Sequence, residues 1–290
     1  MTQIIDTLSE ISAQYDALFV DLWGCIHNGV TPFETAVAAM QDYRKSGGIV
    51  IYVTNAPRHR ASVAKQLEKI GVAADSYDDI ATSGDSARAA MYRGAVGEKV
   101  YFIGQPHDQN FFDPLKLIAD PTQITQTPLA EADGIICCGP EDPMADPEAY
   151  RSDFLYAKQK GLKLLCANPD IVVDRGEHRE WCAGALAKLY TEMGGESLYF
   201  GKPHPPIYDL ARRRLNALGK SIEDSRILCI GDGVLTDVRG AMGEDLDALF
   251  ISGGLAAEET KTDHSPDPAL LQAYLAKEMV SARYTIGKLR

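Results

Sequence analysis

The sequence predicts an α/β fold built around a parallel β-sheet that helices cover on both faces. Short apolar runs rich in Val, Ile, Leu and Tyr alternate with stretches of helical periodicity, which is the pattern of βαβ units. The composition, with 45% hydrophobic and 24% charged residues, is that of an ordinary globular protein. Because the chain has 290 residues, we expect about two domains.

The first part of the chain predicts one doubly wound unit. Its apolar runs are short enough for strands, and glycines follow both helical stretches. The predicted elements are a strand over 17–22, a helix over Thr35–Arg44 ended by Gly47 and Gly48, a strand over 49–54, and a helix over Ala61–Ile70 stopped by Gly71.

The same alternation continues to the end of the chain, with one interruption. Residues 105–133 are rich in Pro, Asp and Gln and have poor periodicity, so no element is predicted there. Strands are predicted at 80–84, 99–104, 134–139, 162–168, 197–203, 226–233 and 246–254. Helices are predicted up to Arg93, near Tyr150–Lys160, over Cys182–Met193, from about Pro206 to Leu218, and from about Asp237.

Charge and composition exclude several classes of function. The chain has 41 acidic and 29 basic residues, so its net charge of −12 repels a nucleic acid backbone. The start MTQIIDTLSEISAQYD lacks the basic and apolar regions of a secretory signal, and no apolar run approaches the ~18 residues of a membrane span. We therefore predict a cytoplasmic protein without nucleic acid or membrane partners, whose six cysteines are reduced core thiols.

Polar residues that could bind a metal ion or phosphate lie where four predicted strands end. Asp21 follows LFV, Thr54 and Asn55 follow IYV, Lys202 follows LYFG, and Asp232 and Asp237 lie in GDGVLTD. Ligands of open α/β sheets bind outside the carboxyl ends of the strands, so these side chains are expected to converge. Carboxylate oxygens suit Mg²⁺, and an ammonium and a hydroxyl suit phosphate oxygens.

Each of these residues also has a structural interpretation when it is taken alone. An Asp after a strand often caps a helix or forms a turn, and Thr54 with Asn55 could close a strand. Lys202 could be an exposed residue before a helix that begins with proline. In GDGVLTD, Thr236 could cap a helix that begins at Asp237. The prediction of a site depends on finding all four segments in order, each at a strand end.

In that order, the four segments resemble the haloacid dehalogenase-like (HAD) hydrolase superfamily, and specifically its class IIA, NagD-like branch. They are LFVDLWGCIHNG, IYVTNAPR, GKPHPPIY and CIGDGVLTDVRGA, and TSGDSA and CANPD are further points of similarity. The resemblance covers nearly the whole chain. It implies a Rossmann-like parallel-sheet core formed by residues 1–80 and 195–290, with an inserted α/β cap domain over residues 81–194.

The resemblance also implies a function and a role for each residue. The expected reaction is Mg²⁺-dependent hydrolysis of a small phosphorylated metabolite through an aspartyl-phosphate. We also expect the inserted segment to close over the site, because water exclusion strengthens electrostatic interactions and positions the substrate. A homodimer is compatible with the family, but the sequence leaves both the oligomeric state and the substrate open. The implied roles are Asp21 as nucleophile, Thr54 and Asn55 as phosphate ligands, Lys202 as the residue that steadies Asp21 and the phosphate, and Asp232 with Asp237 as residues that position Mg²⁺.

One position departs from the family pattern. Phosphatases of the family carry D-x-D, in which the second Asp gives a proton to the leaving group, but here that residue is Trp23. The family residue reaches Mg²⁺ through its backbone carbonyl, so Trp23 remains an expected metal ligand. The lost general acid corresponds to ~10²- to 10⁴-fold in rate, or about 3–5 kcal/mol. Cleavage of carbon–halogen or carbon–phosphorus bonds, or a catalytically weak module that binds phosphorylated metabolites, are therefore alternative functions.

Other reactive side chains have weaker claims. His27 could replace the missing acid or be a locally hydrogen-bonded loop residue, and Cys25 lacks a base that would make it a nucleophile. His178 and Cys182 could share a metal at helical spacing, although an exposed His and a core Cys are the simpler interpretation. Aromatic residues of the inserted segment could line a pocket or fill its core: Phe111, Phe112, Tyr150, Phe154 and Tyr156.

Overall fold

The computed structural model describes residues 2–114, 120–175 and 178–290, which form two compact units. The core unit consists of Met1–Thr54, Ala64–Ala81 and Lys202–Arg290. The inserted unit consists of Asn55–Val63 and Thr82–Gly201. The predicted α/β fold is confirmed, whereas the predicted boundaries of 1–80, 81–194 and 195–290 stay a prediction.

The strands follow the apolar runs of the sequence. In chain order they are β1 (Gln3–Ile4), β2 (Ala17–Val20), β3 (Ile49–Thr54), β4 (Asp79–Thr82), β5 (Lys99–Ile103), β6 (Thr125–Gln126), β7 (Gly134–Cys137), β8 (Lys163–Cys166), β9 (Val172–Arg175), β10 (His178–Trp181), β11 (Glu196–Tyr199), β12 (Ile227–Gly231), β13 (Asp247–Ile251) and β14 (Tyr284–Ile286).

The α-helices alternate with these strands. In chain order they are α1 (Glu34–Lys45), α2 (Arg60–Ile70), α3 (Ser83–Met91), α4 (Arg151–Gln159), α5 (Ala183–Glu192), α6 (Pro205–Ala217), α7 (Arg239–Gly243) and α8 (Pro268–Lys277). A π-helical turn over Val234–Val238 leads directly into α7. No helix in the described ranges is both long enough and apolar enough to cross a membrane.

The sheet of the core unit has the strand order β1-β14-β13-β12-β2-β3-β4. Strands β2, β3, β12, β13, β14 and β1 run parallel. From β2 the chain proceeds outward through β3 and β4 on one side, and β12, β13 and β14 lie on the other side, where β1 forms the outer edge. The order therefore reverses between β2 and β12, which is where open α/β sheets bind ligands.

The core unit is stabilised by apolar side chains that the sheet and its helices bury together. Phe19 of β2, Ile51 of β3 and Phe250 of β13 are each at most 2% exposed and belong to one cluster. On α6, Ile207 and Leu215 lie two turns apart on the face that packs into this cluster. Burial of such side chains contributes about 1.5–3 kcal/mol each. The strands whose ends carry the predicted site are therefore held in place by a well-packed core.

The inserted unit has its own parallel sheet, with the strand order β11-β8-β7-β5-β6, and a separate antiparallel pair β9-β10. Neighbouring strand residues face opposite sides, so Ile135 packs into one apolar cluster and Ile136 into another. The aromatic residues that could have lined a pocket mostly fill these clusters instead. Phe111 and Phe154 are at most 1% exposed, whereas Tyr156 is 43% exposed.

Several elements differ from the sequence predictions. His178 lies in strand β10 rather than on a helix, so the prediction that His178 and Cys182 are at helical spacing is wrong. The His178 side chain lies outside the described part of the chain. Cys182 is buried just before α5. All six cysteines are buried free thiols, as predicted.

Candidate functional site

Two of the predicted site residues of the core unit, Asp21 and Asp232, meet at the reversal of strand order. Register pairs Val20 of β2 with Ile230 of β12, so Asp21 and Asp232 follow adjacent parallel strands at one edge of the sheet. The backbone N–H of Asp21 still donates to the carbonyl of Ile230, at 2.9 Å, which fixes the first residue beyond the strand. The predicted convergence of Asp21 and Asp232 is therefore present.

Lys202 lies between two of the carboxylates. Its Nζ donates to Asp21 Oδ1 at 2.5 Å and to Asp237 Oδ1 at 2.6 Å. The Lys202 side chain is 4% exposed, so it is not the exposed residue that its sequence context alone suggested. Burial alone would lower the pKa of Lys202, but the charges of Asp21 and Asp237 outweigh burial and raise it. The ammonium is therefore charged at neutral pH.

Asp237 is positioned by the turn that contains it. Its backbone N–H donates to the carbonyl of Gly233 at 2.7 Å, and its Oδ2 accepts the N–H of Gly233 at 3.0 Å. This double contact folds the segment after β12 back on itself. Burial raises the pKa of Asp237 to about 6, even though the Lys202 charge acts in the opposite direction.

Asp232 occupies a narrow space between two glycines. A Cβ atom at Gly24 or at Gly254 would lie 2.2 Å from Asp232 Oδ2, so a side chain at either position would displace the carboxylate. The backbone N–H of Leu255 donates to the same oxygen at 3.2 Å. Burial, followed by the charges of Asp21 and Asp237, raises the pKa of Asp232 well above its ordinary value.

The donor set fits a hard divalent cation. Ligand atoms of Asp21, Cys25 and Asp232 lie within 4.8 Å of one another, so one ion could contact both carboxylates. Three carboxylates and one ammonium carry a formal charge of −2 when all are ionised. The raised pKa of Asp232 reflects this repulsion in part, and a divalent cation would relieve it. Carboxylate oxygens are the ligands that Mg²⁺ prefers.

Cys25 is present as a protonated thiol rather than as a nucleophilic thiolate at this site. Its Sγ lies 3.9 Å from Asp21 Oδ2 and 3.9 Å from Asp232 Oδ1. Burial, together with the charges of Asp232 and Asp21, raises the pKa of Cys25 well above its ordinary value. Because only the thiolate attacks or ligates strongly, Cys25 is a poor nucleophile at this site, in agreement with the sequence analysis.

Thr54 and Asn55 fall in different units. Thr54 ends β3, and its register places it one residue beyond the position opposite Asp21. It is buried in the core unit. Asn55 belongs to the inserted unit, where its Nδ2 donates to Asp170 Oδ1 at 2.8 Å. Asp170 was not singled out from the sequence, and CANPD, which contains it, was the available signal.

Trp23 and His27 build the loop that follows Asp21. Their rings meet edge to face with centroids 5.3 Å apart. His27 is 3% exposed, and its Nδ1 accepts the N–H of Gly29 at 2.9 Å. A Cβ atom at Gly29 would lie 2.3 Å from the Trp23 indole, so the loop is tightly packed around that ring. These contacts favour the interpretation of His27 as a locally hydrogen-bonded loop residue.

A separate cavity of about 460 Å³ lies elsewhere in the core unit. Its lining includes Met242, Asp247 and Arg283. Asp247 begins β13, which is parallel to β12, so the cavity lies at the opposite edge of the sheet from Asp232. None of the predicted site residues lines it, so the carboxylate cluster and not this cavity is the candidate site.

Two family models match the chain. A model described as haloacid dehalogenase-like hydrolase matches residues 18–117, and one described as HAD-hydrolase-like matches residues 199–276. The first match contains Asp21 and Thr54, and the second contains Lys202, Asp232 and Asp237. All three carboxylates of the cluster thus fall within matched segments.

The chain is similar to several known proteins. A haloacid dehalogenase-like family hydrolase from Brucella suis 1330 is 38% identical, with a TM-score of 0.85 over 99% of this chain and 100% of that one. The 5′-nucleotidase YutF of Bacillus subtilis is 24% identical over 256 residues, which are 88% of this chain and 93% of YutF. A glycerol phosphate phosphatase from Mycobacterium tuberculosis, solved with magnesium, is 24% identical, with a TM-score of 0.64 over 84% of this chain and 70% of that one.

Proposed function

We propose that this chain, which belongs to the haloacid dehalogenase-like hydrolase family, is a Mg²⁺-dependent phosphatase of small phosphorylated metabolites. The observation that carries the proposal is Lys202 Nζ, held at 2.5 Å from Asp21 and at 2.6 Å from Asp237 beside the buried Asp232. The similarity to a 5′-nucleotidase and to a glycerol phosphate phosphatase supports phosphate esters as substrates.

In this proposal Asp21 is the nucleophile. One carboxylate oxygen attacks the phosphorus atom, the bond to the leaving oxygen breaks, and an aspartyl-phosphate forms. Water then attacks the phosphorus, releases inorganic phosphate and restores the Asp21 carboxylate. Lys202 fixes Asp21 Oδ1 through a charge-assisted hydrogen bond, so the carboxylate cannot rotate away from the phosphoryl group.

The remaining residues manage the negative charge of the phosphoryl group. We assign the Thr54 hydroxyl and the Asn55 amide to its oxygens and Lys202 to the charge that develops during transfer. Asp21 and Asp232 would hold Mg²⁺, with the Trp23 backbone carbonyl and Asp237 completing its surroundings. When bound, Mg²⁺ supplies positive charge next to the phosphoryl oxygens.

Trp23 is the feature that qualifies this proposal. Its indole cannot protonate a leaving alkoxide, so the site would act best on substrates whose leaving group needs no proton from the enzyme. The same feature keeps carbon–halogen or carbon–phosphorus cleavage as a second candidate. That chemistry would release halide or an aldehyde rather than phosphate alone.

A panel of phosphorylated metabolites tests the proposal. Phosphate release would be measured with Mg²⁺ for the wild type, for Asp21→Asn, and for Asp16→Asn as a matched control. Asp16 precedes the same strand and pairs with Arg226 on the surface, at 2.7 Å. We expect Asp21→Asn to abolish turnover and Asp16→Asn to preserve it. Turnover that survives in Asp21→Asn would contradict the assigned nucleophile, and halide release from haloacids would favour the second candidate.

A further inference from the structure

Asn55 is held by a carboxylate that lies 115 residues later in the chain. Its Nδ2 donates to Asp170 Oδ1 at 2.8 Å within the inserted unit. The two ends of an Asn amide have opposite roles, because its nitrogen only donates and its oxygen only accepts. An ionised carboxylate only accepts, so Asp170 determines which end of the Asn55 amide faces it.

Asp170 is itself fixed by a tightly packed loop. Its backbone N–H donates to Asn168 Oδ1 at 3.0 Å, and its backbone carbonyl accepts the N–H of Gly184 at 3.1 Å. A Cβ atom at Gly184 would lie 2.1 Å from the carbonyl oxygen of Pro169, so the start of α5 can approach the loop only with glycine. The backbone of Asp170 therefore has a defined place, from which its carboxylate reaches Asn55.

The other end of the Asn55 amide is also confined. A Cβ atom at Gly201 would lie 2.5 Å from Asn55 Oδ1, 2.6 Å from Pro169 Cδ and 2.8 Å from Ser83 Oγ. Asn55, the loop that carries Asp170 and the last residue of the inserted unit are thus in close contact. Packing at one end and a charge-assisted hydrogen bond at the other leave the amide a single orientation.

We propose that Asp170 is a positioning residue that sets the orientation in which the Asn55 amide meets the phosphoryl group of the substrate. The proposal rests on the proposed function, in which Asn55 binds phosphate directly after Thr54. Asp170 acts only through Asn55 and does not itself contact the substrate. Loss of its carboxylate should therefore weaken phosphate binding without changing the affinity of the core unit for Mg²⁺.

The test compares Asp170→Ala, Asp170→Asn, Asn55→Ala and the double variant Asn55→Ala/Asp170→Ala. The measurements are kcat and KM on p-nitrophenyl phosphate, calorimetric binding of inorganic phosphate with Mg²⁺ present, calorimetric binding of Mg²⁺ alone, and the melting temperature of each variant. Asp108→Ala is the matched control, because it removes a buried carboxylate of the same unit that accepts the backbone N–H of Gln105, at 3.0 Å.

We expect Asp170→Ala to weaken phosphate binding and raise KM about 10- to 100-fold, which is about 1.4–2.7 kcal/mol and the scale of a hydrogen bond to a charged group. Asp170→Asn should recover part of the loss, because its amide oxygen can still accept the Asn55 N–H. The double variant should be no worse than Asn55→Ala, since Asp170 acts through that residue. Asp108→Ala should retain wild-type phosphate affinity.

The outcomes separate this inference from the proposed function. If Asn55→Ala is impaired while Asp170→Ala keeps wild-type phosphate affinity, or if the two losses add in the double variant, Asp170 does not position Asn55. If Asp170→Ala only lowers the melting temperature, its role is structural and the inference is wrong. If the wild type neither binds phosphate nor hydrolyses phosphate esters, the proposed function fails and this inference fails with it.

Discussion

Removal of the Lys202 charge tests the electrostatic design of the site most directly. Lys202→Met preserves an unbranched side chain of similar length but leaves Asp21 and Asp237 facing each other without their shared ammonium. The side chains of Lys202, Asp21 and Asp237 are 4%, 11% and 7% exposed, so water replaces little of the lost interaction. The variant should therefore unfold much more readily than a surface charge deletion would predict.

The distances indicate the size of the effect. At separations of 2.5 Å and 2.6 Å, Coulomb's law with an effective dielectric constant of about 20 gives roughly 6.5 kcal/mol of gross attraction for each contact. Desolvation of the three charges offsets much of this attraction. Breaking a buried ion pair by removing one partner typically costs about 3–5 kcal/mol, which is the loss in unfolding free energy we expect.

Urea unfolding of the core unit measures this loss. In a Trp181→Phe background, tryptophan fluorescence reports only on Trp23, because the chain has two tryptophans. Lys45→Met is the matched control in the same unit, since Lys45 pairs with Asp42 at 2.8 Å but is 71% exposed, and it should change the unfolding free energy by about 0–1 kcal/mol. The slope of the unfolding free energy against urea should stay constant. If Lys202→Met costs no more than Lys45→Met, the three groups do not form the buried charge network described above.

Three further predictions concern the metal and the missing acid. Asp232→Asn should weaken Mg²⁺ binding in calorimetry, and an unchanged affinity would remove Asp232 from the metal site. Gly24→Ala should also weaken Mg²⁺ binding, because its Cβ would lie 2.2 Å from Asp232 Oδ2; Gly47→Ala, which shares a positive φ but has nothing within 4 Å, should leave Mg²⁺ affinity unchanged. Trp23→Asp should reduce the dependence of log kcat/KM on leaving-group pKa, with the largest gains on alkyl phosphates and an upper scale of ~10²- to 10⁴-fold. Equal slopes for Trp23→Asp and the wild type would show that the missing carboxylate does not limit the rate.

The main strands and helices were predictable because burial on both faces makes parallel strands continuous apolar runs. Strand β3 matches its predicted bounds of 49–54. The elements that were missed are short edge strands or lie outside the alternating pattern, such as β1 and β14 at one side of the core sheet. Helix α8 did have a local signal, because Asp267 accepts the N–H groups of Ala269 and Leu270 and Pro268 begins the helix.

The candidate site was predictable to the extent that strand order determines it. Parallel strands place their carboxyl ends at one edge, so Asp21 and Asp232 could be expected to meet. Contacts that depend on how loops pack were not accessible in this way. The approach of Cys25 to both carboxylates and the contact between Asn55 and Asp170 arise from the paths of loops, which neither periodicity nor turn residues specify. The burial of Lys202 likewise depends on partners 181 and 35 residues away.

The groups around Asp21 are suited to neutralising negative charge but not to donating a proton. In the proposed mechanism Lys202 and a bound cation neutralise the phosphoryl group, but Lys202 and Cys25, which both place a proton beside Asp21, are poor acids. The pKa values of Lys202 and Cys25 are both raised, the first by the neighbouring carboxylates despite burial and the second by burial itself. Trp23 contributes packing against His27 and Gly29 in place of a carboxyl group. If the site hydrolyses phosphate esters as proposed, the leaving group must depart as a weakly basic anion or bring its own proton donor, which predicts aryl and acyl phosphates as better substrates than unassisted alkyl phosphates.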